Sequence, residues 1–402
     1  MDALLRETDW HALRHAYGDA SDAPDHLRAL IGDDPERRAE AVAYLDAAIL
    51  HQGSADSATA PVALVVARLL GHPRLAEAVE NIFPWDDEPR PLRSALLDFL
   101  AGVAEACDFG TAEEELLAAA YPEGRAEADL QRLIADFYAA QADFVPGKSE
   151  LPAAMSAAWK DPHLGKATAA RSVLGCRAVA GDLLDNVLPF LDDADEAVRI
   201  RALNVITHLL PGPSGETVTS AMLARLDAAS VRERAQIALA LGHGDAMPYR
   251  LLTDDHPAVR ACAALSPGLA ADDRATAELL SALADPRTAD SWFDGPLPHV
   301  DGWFRFALVK AAVARVATFE DLLPAALAIV PLASSYTVDS DWGPLLKAAF
   351  PEPATTRLSA AQHALLTALV DNAELWTGVA NPIPWLREAG LPEDRESYRD
   401  LL

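Results

Sequence analysis

Two short segments place aromatic rings beside carboxylates, the combination that receives a cationic group. The first, 286–304, holds Trp292, Phe293, Asp294, Asp301 and Trp303. The second, 334–343, holds Tyr336, Asp339, Asp341 and Trp342. An aromatic face attracts a cation through its quadrupole, and a neighbouring carboxylate adds charge and direction. Both segments are rich in turn-forming residues, so they read as loops, where a scaffold carries its binding groups. Rings in such loops also plug bends between helices, and the sequence leaves recognition and packing both open. A third loop of this kind, 81–92, contains Phe83, Trp85, Asp86 and Asp87. A fourth candidate is a polar stripe on an otherwise apolar helix: Arg201, Asn204 and His208, spaced i, i+3, i+7. That spacing puts all three on one face, either the floor of a groove or ordinary solvated surface.

Covalent chemistry finds no foothold. None of the eleven histidines is followed by Glu, and no HExxH, GxSxG or GxxxxGK(S/T) motif occurs. The stretch Gly242-His243-Gly244-Asp245 reads as a helix stop and not as a phosphate cradle. His51, just before Gly53, suits the negative end of a helix. Cys107, Cys176 and Cys262 form no CxxC pair and read as small buried hydrophobes in a reducing compartment. The Asp pairs along the chain lack a recurring third and fourth ligand, so no metal site and no cofactor is expected.

The chain has 402 residues and a net charge of −28, with 61 acidic residues against 33 basic ones. No run of Lys or Arg exceeds two. Phosphate backbones and anionic membranes need a basic surface, so both are excluded as expected partners, and a basic protein is favoured. The hydrophobic fraction of 51% excludes a disordered polyanion. No secretory leader pattern and no long uncharged apolar stretch is visible, which leads to an expected cytoplasmic location. The 82 alanines favour helix. Arginine exceeds lysine 28 to 5, which at this level reads as codon usage in a GC-rich genome.

The elements that must position these residues are helices. Apolar residues recur at i, i+3, i+4 and i+7, with breaks every 12–20 residues. Even the best strand candidate, Pro61–Val66, continues in helical period into Leu69 and Leu70. The breaks at Asp33-Asp34-Pro35, Asp161-Pro162, Asp192–Asp195 and Asp254–Pro257 carry helix-starting chemistry, since Asp accepts from the free amides of a first turn. Glu113–Glu115 opens another helix, and 128–138 is amphipathic. The word V-R-x-x-A follows the breaks at Asp192–Asp195 and Asp254–Pro257 and a further one at Leu226-Asp227, with its arginine at 199, 260 and 232 respectively. A period near 30 accommodates two short helices that cannot bury their own apolar face and must stack on neighbours. Each arginine is expected to reach the Asp of a neighbouring turn, forming an Asp–Arg ladder. With a linker at Asp143–Lys148, the chain divides into 1–147, 148–285 and 286–402.

The word L-x-D-D-x-x-x-V-R-x-x-A resembles the second half of HEAT repeats, especially the short bacterial type named after phycobilisome lyases. The resemblance is good over 185–285 and looser over 30–80 and 160–180. Trp10–Gly18, His51-Gln52-Gly53, Ala58–Pro61 and Gly390–Arg395 resemble a family of uncharacterised bacterial HEAT-type proteins. This implies an all-α fold, an α-solenoid of stacked antiparallel helix pairs, and carries no activity with it. The expected function is non-catalytic binding of a basic protein partner, in a sharper form as an immunity-type inhibitor of a toxin. HEAT-like DNA glycosylases would need a basic groove, which this chain does not show; that enzyme class and an intracellular scaffold are the alternatives. Oligomeric state is open.

Overall fold

The computed structural model describes residues 2–79, 89–142, 152–209, 216–243, 247–295, 297–354, 357–398 and 402. The fold is all-α as expected: among the described residues 68% is helix, in 21 α-helices, and 2% is strand. The strands are two antiparallel pairs of two residues each, Arg14–His15 with Gly18–Asp19 and Ala78–Val79 with Arg90–Pro91. The stretch from Pro61 is helical, within Thr59–Leu69. The 81–88 part of the third aromatic loop, the expected linker at 143–148 and the Gly244-Asp245 pair lie outside the described residues.

The chain divides into two compact units, Met1–Pro211 and Gly212–Leu402. The expected boundaries at 147 and 285 do not coincide with this division, and packing explains why. In the first unit the long helix Leu164–Val187 lies against Thr59–Leu69 and Glu113–Ala120, while Glu196–Leu209 packs on Leu92–Ala106. Residues after 152 thus complete a core begun a hundred positions earlier, with Val62, Val66, Leu96, Leu100, Leu203 and Ile206 fully buried. In the second unit Asp273–Leu283 packs on both Phe304–Arg315 and Phe319–Ile329, joining the two sides of position 285.

Helix starts follow the chemistry read from the sequence. Asp34 accepts from the amides of Glu36 and Arg37 ahead of Pro35–Tyr44. Asp161 accepts from His163 and Leu164, and Asp195 from Val198. At Pro257–Ala264 the cap is His256, whose Nδ1 accepts from Ala258, while Asp254 accepts from the His256 amide. Glu113–Glu115 forms the first turn of Glu113–Ala120. His51 Nδ1 lies 2.9 Å from the Ala47 carbonyl, engaging the end of the preceding helical turn.

The expected ladder takes a different form. Arg199 and Arg260 each donate to the carbonyl six residues back in their own turn, Asp193 and Asp254, both at 2.9 Å. Arg38 does the same to Gly32 at 3.1 Å. Between successive turns Arg234, two positions after a repeat arginine, binds Asp254 at 2.8 and 3.1 Å, and Arg260 binds Glu278 at 3.0 Å. Elsewhere Arg93, Arg171, Arg177, Arg315 and Arg395 donate to the last carbonyls of other helices. A planar guanidinium satisfies several free carbonyls at once, which an ammonium on a flexible stem does less well. The arginine excess therefore has a structural use that composition did not reveal.

All three cysteines are buried and free. Burial pushes the Cys107 thiol up to about 11, with Arg177 opposing, and Cys176 up to about 12; Cys262 is pushed up further still. A thiol held protonated is a poor nucleophile. The native protein is expected to leave all three unmodified by a chromogenic disulfide reagent, with three thiols titrating once denaturant is added. Rapid labelling of any one under native conditions would contradict this burial.

Candidate functional site

The 286–304 segment is built as a closed loop on one buried arginine. The short helix Pro286–Asp290 starts at Asp285, which accepts from the Thr288 amide, and ends on Asp290. Asp290 then receives both the backbone amide of Arg305 (2.9 Å) and its Nη1 (2.5 Å), fixing the loop base to the first turn of Phe304–Arg315. Arg305 is 5% exposed, so this is an interior ion pair. Removing one partner of such a pair strands a charge and costs several kcal/mol, ~3–5.

Between these anchors the chain folds around an apolar cleft of about 310 Å³, walled by Phe293, Leu297, Val300, Trp303 and Phe304 with Asp290. Trp292 and Phe293 pack on Phe304, with ring centroids 5.9 and 5.7 Å away. Leu297 and Val300 are buried. Gly302 has φ +70°, and a Cβ there would come within 3.0 Å of the Phe306 ring, so the turn before Trp303 requires glycine. Trp303 itself is 55% exposed; Asp301, two positions before it, and Asp294, next to Phe293 in sequence, are exposed as well. The guanidinium of Arg305 lies 5.3 Å from the Trp303 ring centroid and 4.8 Å from that of Phe306. The aromatic wall already receives one cation.

The 334–343 segment divides. Trp342 is 1% exposed; its Nε1 donates to the Ser334 carbonyl at 3.0 Å. Asp341 is fully buried, accepts from the Trp342 amide at 2.7 Å at the start of Trp342–Ala349, and lies 3.6 Å from Arg305 Nε. Burial pushes the Asp341 carboxyl up to about 6, against the pull of the Trp342 amide, Thr337 and Arg305. Asp339 accepts from Trp385 Nε1 at 2.7 Å. Tyr336 is the exposed ring here, beside Gly378, whose missing Cβ makes room for it. Asp341 and Trp342, expected in a recognition loop, are therefore interior residues. The two loops do come together, through Arg305, which reaches Asp290 of one and Asp341 of the other.

The polar stripe is also corrected. Arg201 Nε binds Asp98 at 2.9 and 3.0 Å, His208 lies 3.2 Å from Glu105, and Asn204 between them is buried. All three face Leu92–Ala106, where Asp98 and Glu105 repeat the i, i+7 spacing. The stripe is an interhelix seam, neither a groove floor nor open surface.

Sequence reasoning missed Arg305 and Asp290, which hold the site together; their types gave no signal, because the pairing crosses a loop. Of the expected residues, Phe293, Asp294, Asp301 and Trp303 stand at the cleft or beside it in sequence, with Trp292 packed behind. Among the described residues no group of three His, Cys, Asp or Glu is placed to hold a metal ion, and no helix is long and apolar enough to cross a membrane. No family model, no curated protein and no solved structure matches the chain.

Proposed function

We propose that this chain is a non-catalytic binding protein for a basic protein partner, receiving an arginine or lysine side chain of that partner in the 290–304 cleft. The observation that carries the reading is Trp303: a tryptophan more than half exposed at an apolar cleft, with exposed Asp301 two positions before it and exposed Asp294 next in sequence to Phe293 of the cleft wall. A large exposed ring of this kind is an interaction anchor, and cation–π attraction gives it a preference for guanidinium or ammonium. The net charge of −28 steers a basic partner toward the surface. The helices are read as stacked pairs of HEAT type; the shared carbonyl geometry of Arg38, Arg199 and Arg260 supports that reading. Neutralising a basic toxin domain is the form of this function that matches both the acidity and the missing catalytic motifs.

Titration of the full chain with a fluorescent arginine-rich peptide tests the reading. Saturable binding that weakens steeply with added salt is expected, because exposed charges are screened beyond about 10 Å at 0.1 M. Absence of saturable binding at low salt overturns it. Asp294→Asn and Asp301→Asn are each expected to weaken the complex by a few-fold, ~0.2–1 kcal/mol, without changing the melting temperature.

A further inference from the structure

The first unit holds a second cavity of different chemistry. It measures about 340 Å³ and is walled by Arg14, Asp56, Gln131, Tyr138 and Thr168, among others. Pockets of this size hold small molecules. The Asp56 backbone is fixed: its amide donates to Thr59 Oγ1 at 2.9 Å, and its carbonyl accepts from the Thr59 amide at 3.0 Å. Its half-buried carboxylate, by contrast, accepts no hydrogen bond from any described residue. Burial pushes this carboxyl above its ordinary range, with the charges of His15 and His51 opposing.

Arg14 supplies the opposite charge without pairing to it. Its Nη1 donates to the His11 and Leu13 carbonyls, and its guanidinium lies 5.2 Å from the Tyr138 ring centroid. Among the described residues Nε and Nη2 have no acceptor and no carboxylate forms an ion pair with it. Tyr138 lies near both charges: burial pushes its phenol up, Asp56 adds to that, and Arg14 opposes. The other arginine on the wall, Arg171, is already held by both oxygens of Glu127 at 3.0 and 2.6 Å. An adjoining cavity of about 360 Å³ shares Ile134, Tyr138 and Thr168 and is otherwise walled chiefly by apolar groups such as Phe137, Ala158 and Leu164.

We propose that this cavity binds a free amino acid with an apolar side chain: Asp56 receives the ammonium, Arg14 the carboxylate, and the adjoining cavity the side chain. A carboxylate and a guanidinium on one wall, neither of them ion-paired with a described residue, match a zwitterion and neither a simple cation nor a simple anion.

Calorimetric titration of the full chain with L-phenylalanine and L-leucine tests this. Saturable binding of at least one is expected. N-acetyl-L-phenylalanine, which lacks the ammonium, and L-phenylalanine amide, which lacks the carboxylate, are expected to bind about tenfold more weakly or worse. Asp56→Asn is expected to lose binding to the same extent while melting at the wild-type temperature, since its carboxylate holds no other group in place. The proposal is overturned if neither amino acid binds saturably, if the blocked derivatives bind as tightly as the free amino acids, or if Asp56→Asn binds like the wild type.

Discussion

Trp342→Ala is expected to destabilise the second unit by about 3–5 kcal/mol, the cost of removing a large buried ring and leaving a cavity. Its indole is 1% exposed, anchors the Ser334 carbonyl, and begins the helix whose Leu345, Leu346 and Ala349 continue the same buried face. Trp303→Ala is the matched control. That ring is 55% exposed and contributes chiefly its contact with Arg305, so its loss is expected to cost about 1 kcal/mol or less. Denaturant midpoints of the two variants separate these roles. Equal destabilisation would mean that Trp303 is a packing residue as well.

The pH dependence of stability is expected to show a decline centred on Asp341. The carboxyl titrates near 3.8 when free and is pushed up to about 6 in the fold, chiefly by burial. Between those values the folded state holds a proton that the unfolded chain releases. Stability from this group is thus fully present below about pH 4 and is lost as pH rises to 6, by roughly 3 kcal/mol. Asp254, Asp285 and Asp394 are shifted down and give the opposite slope, but they do so in wild type and variant alike. Asp341→Asn keeps an oxygen for the Trp342 amide and leaves Arg305 its partner Asp290. The difference in unfolding free energy between Asp341→Asn and wild type is therefore expected to grow in favour of the variant from pH 4 to pH 6. Parallel profiles would show that Asp341 is not held in a raised state.

Much of the fold was legible because helix chemistry is local. The apolar period, the Asp34, Asp161 and Asp195 starts, and the helical continuation of Pro61–Leu69 all follow from residues within one or two turns of each other. What was not legible depends on partners distant in the chain. Arg201 and His208 look like a free polar stripe until Asp98 and Glu105, about a hundred positions earlier, are placed opposite them. The turn arginines were expected to reach an Asp of a neighbouring turn; Arg199 and Arg260 also engage carbonyls of their own turns, and Arg260 binds Glu278, 18 positions on. Trp342 was misplaced for a reason the sequence did contain: with Leu345, Leu346 and Ala349 it forms an i, i+3, i+4, i+7 face, so it belongs to the helix and not to the loop before it. Trp303 carries no such pattern behind it, and its ring remains exposed.

The most direct measurement is the affinity of an arginine-rich peptide for wild type and for Trp303→Ala, by calorimetry at low salt on proteins with closely similar denaturant midpoints. A cation-receiving cleft is expected to give a saturable complex that weakens about tenfold or more in Trp303→Ala, of the order of 1–2 kcal/mol. The same affinity in both proteins would show that the acidic surface alone attracts the peptide, and would contradict the cleft as the recognition site.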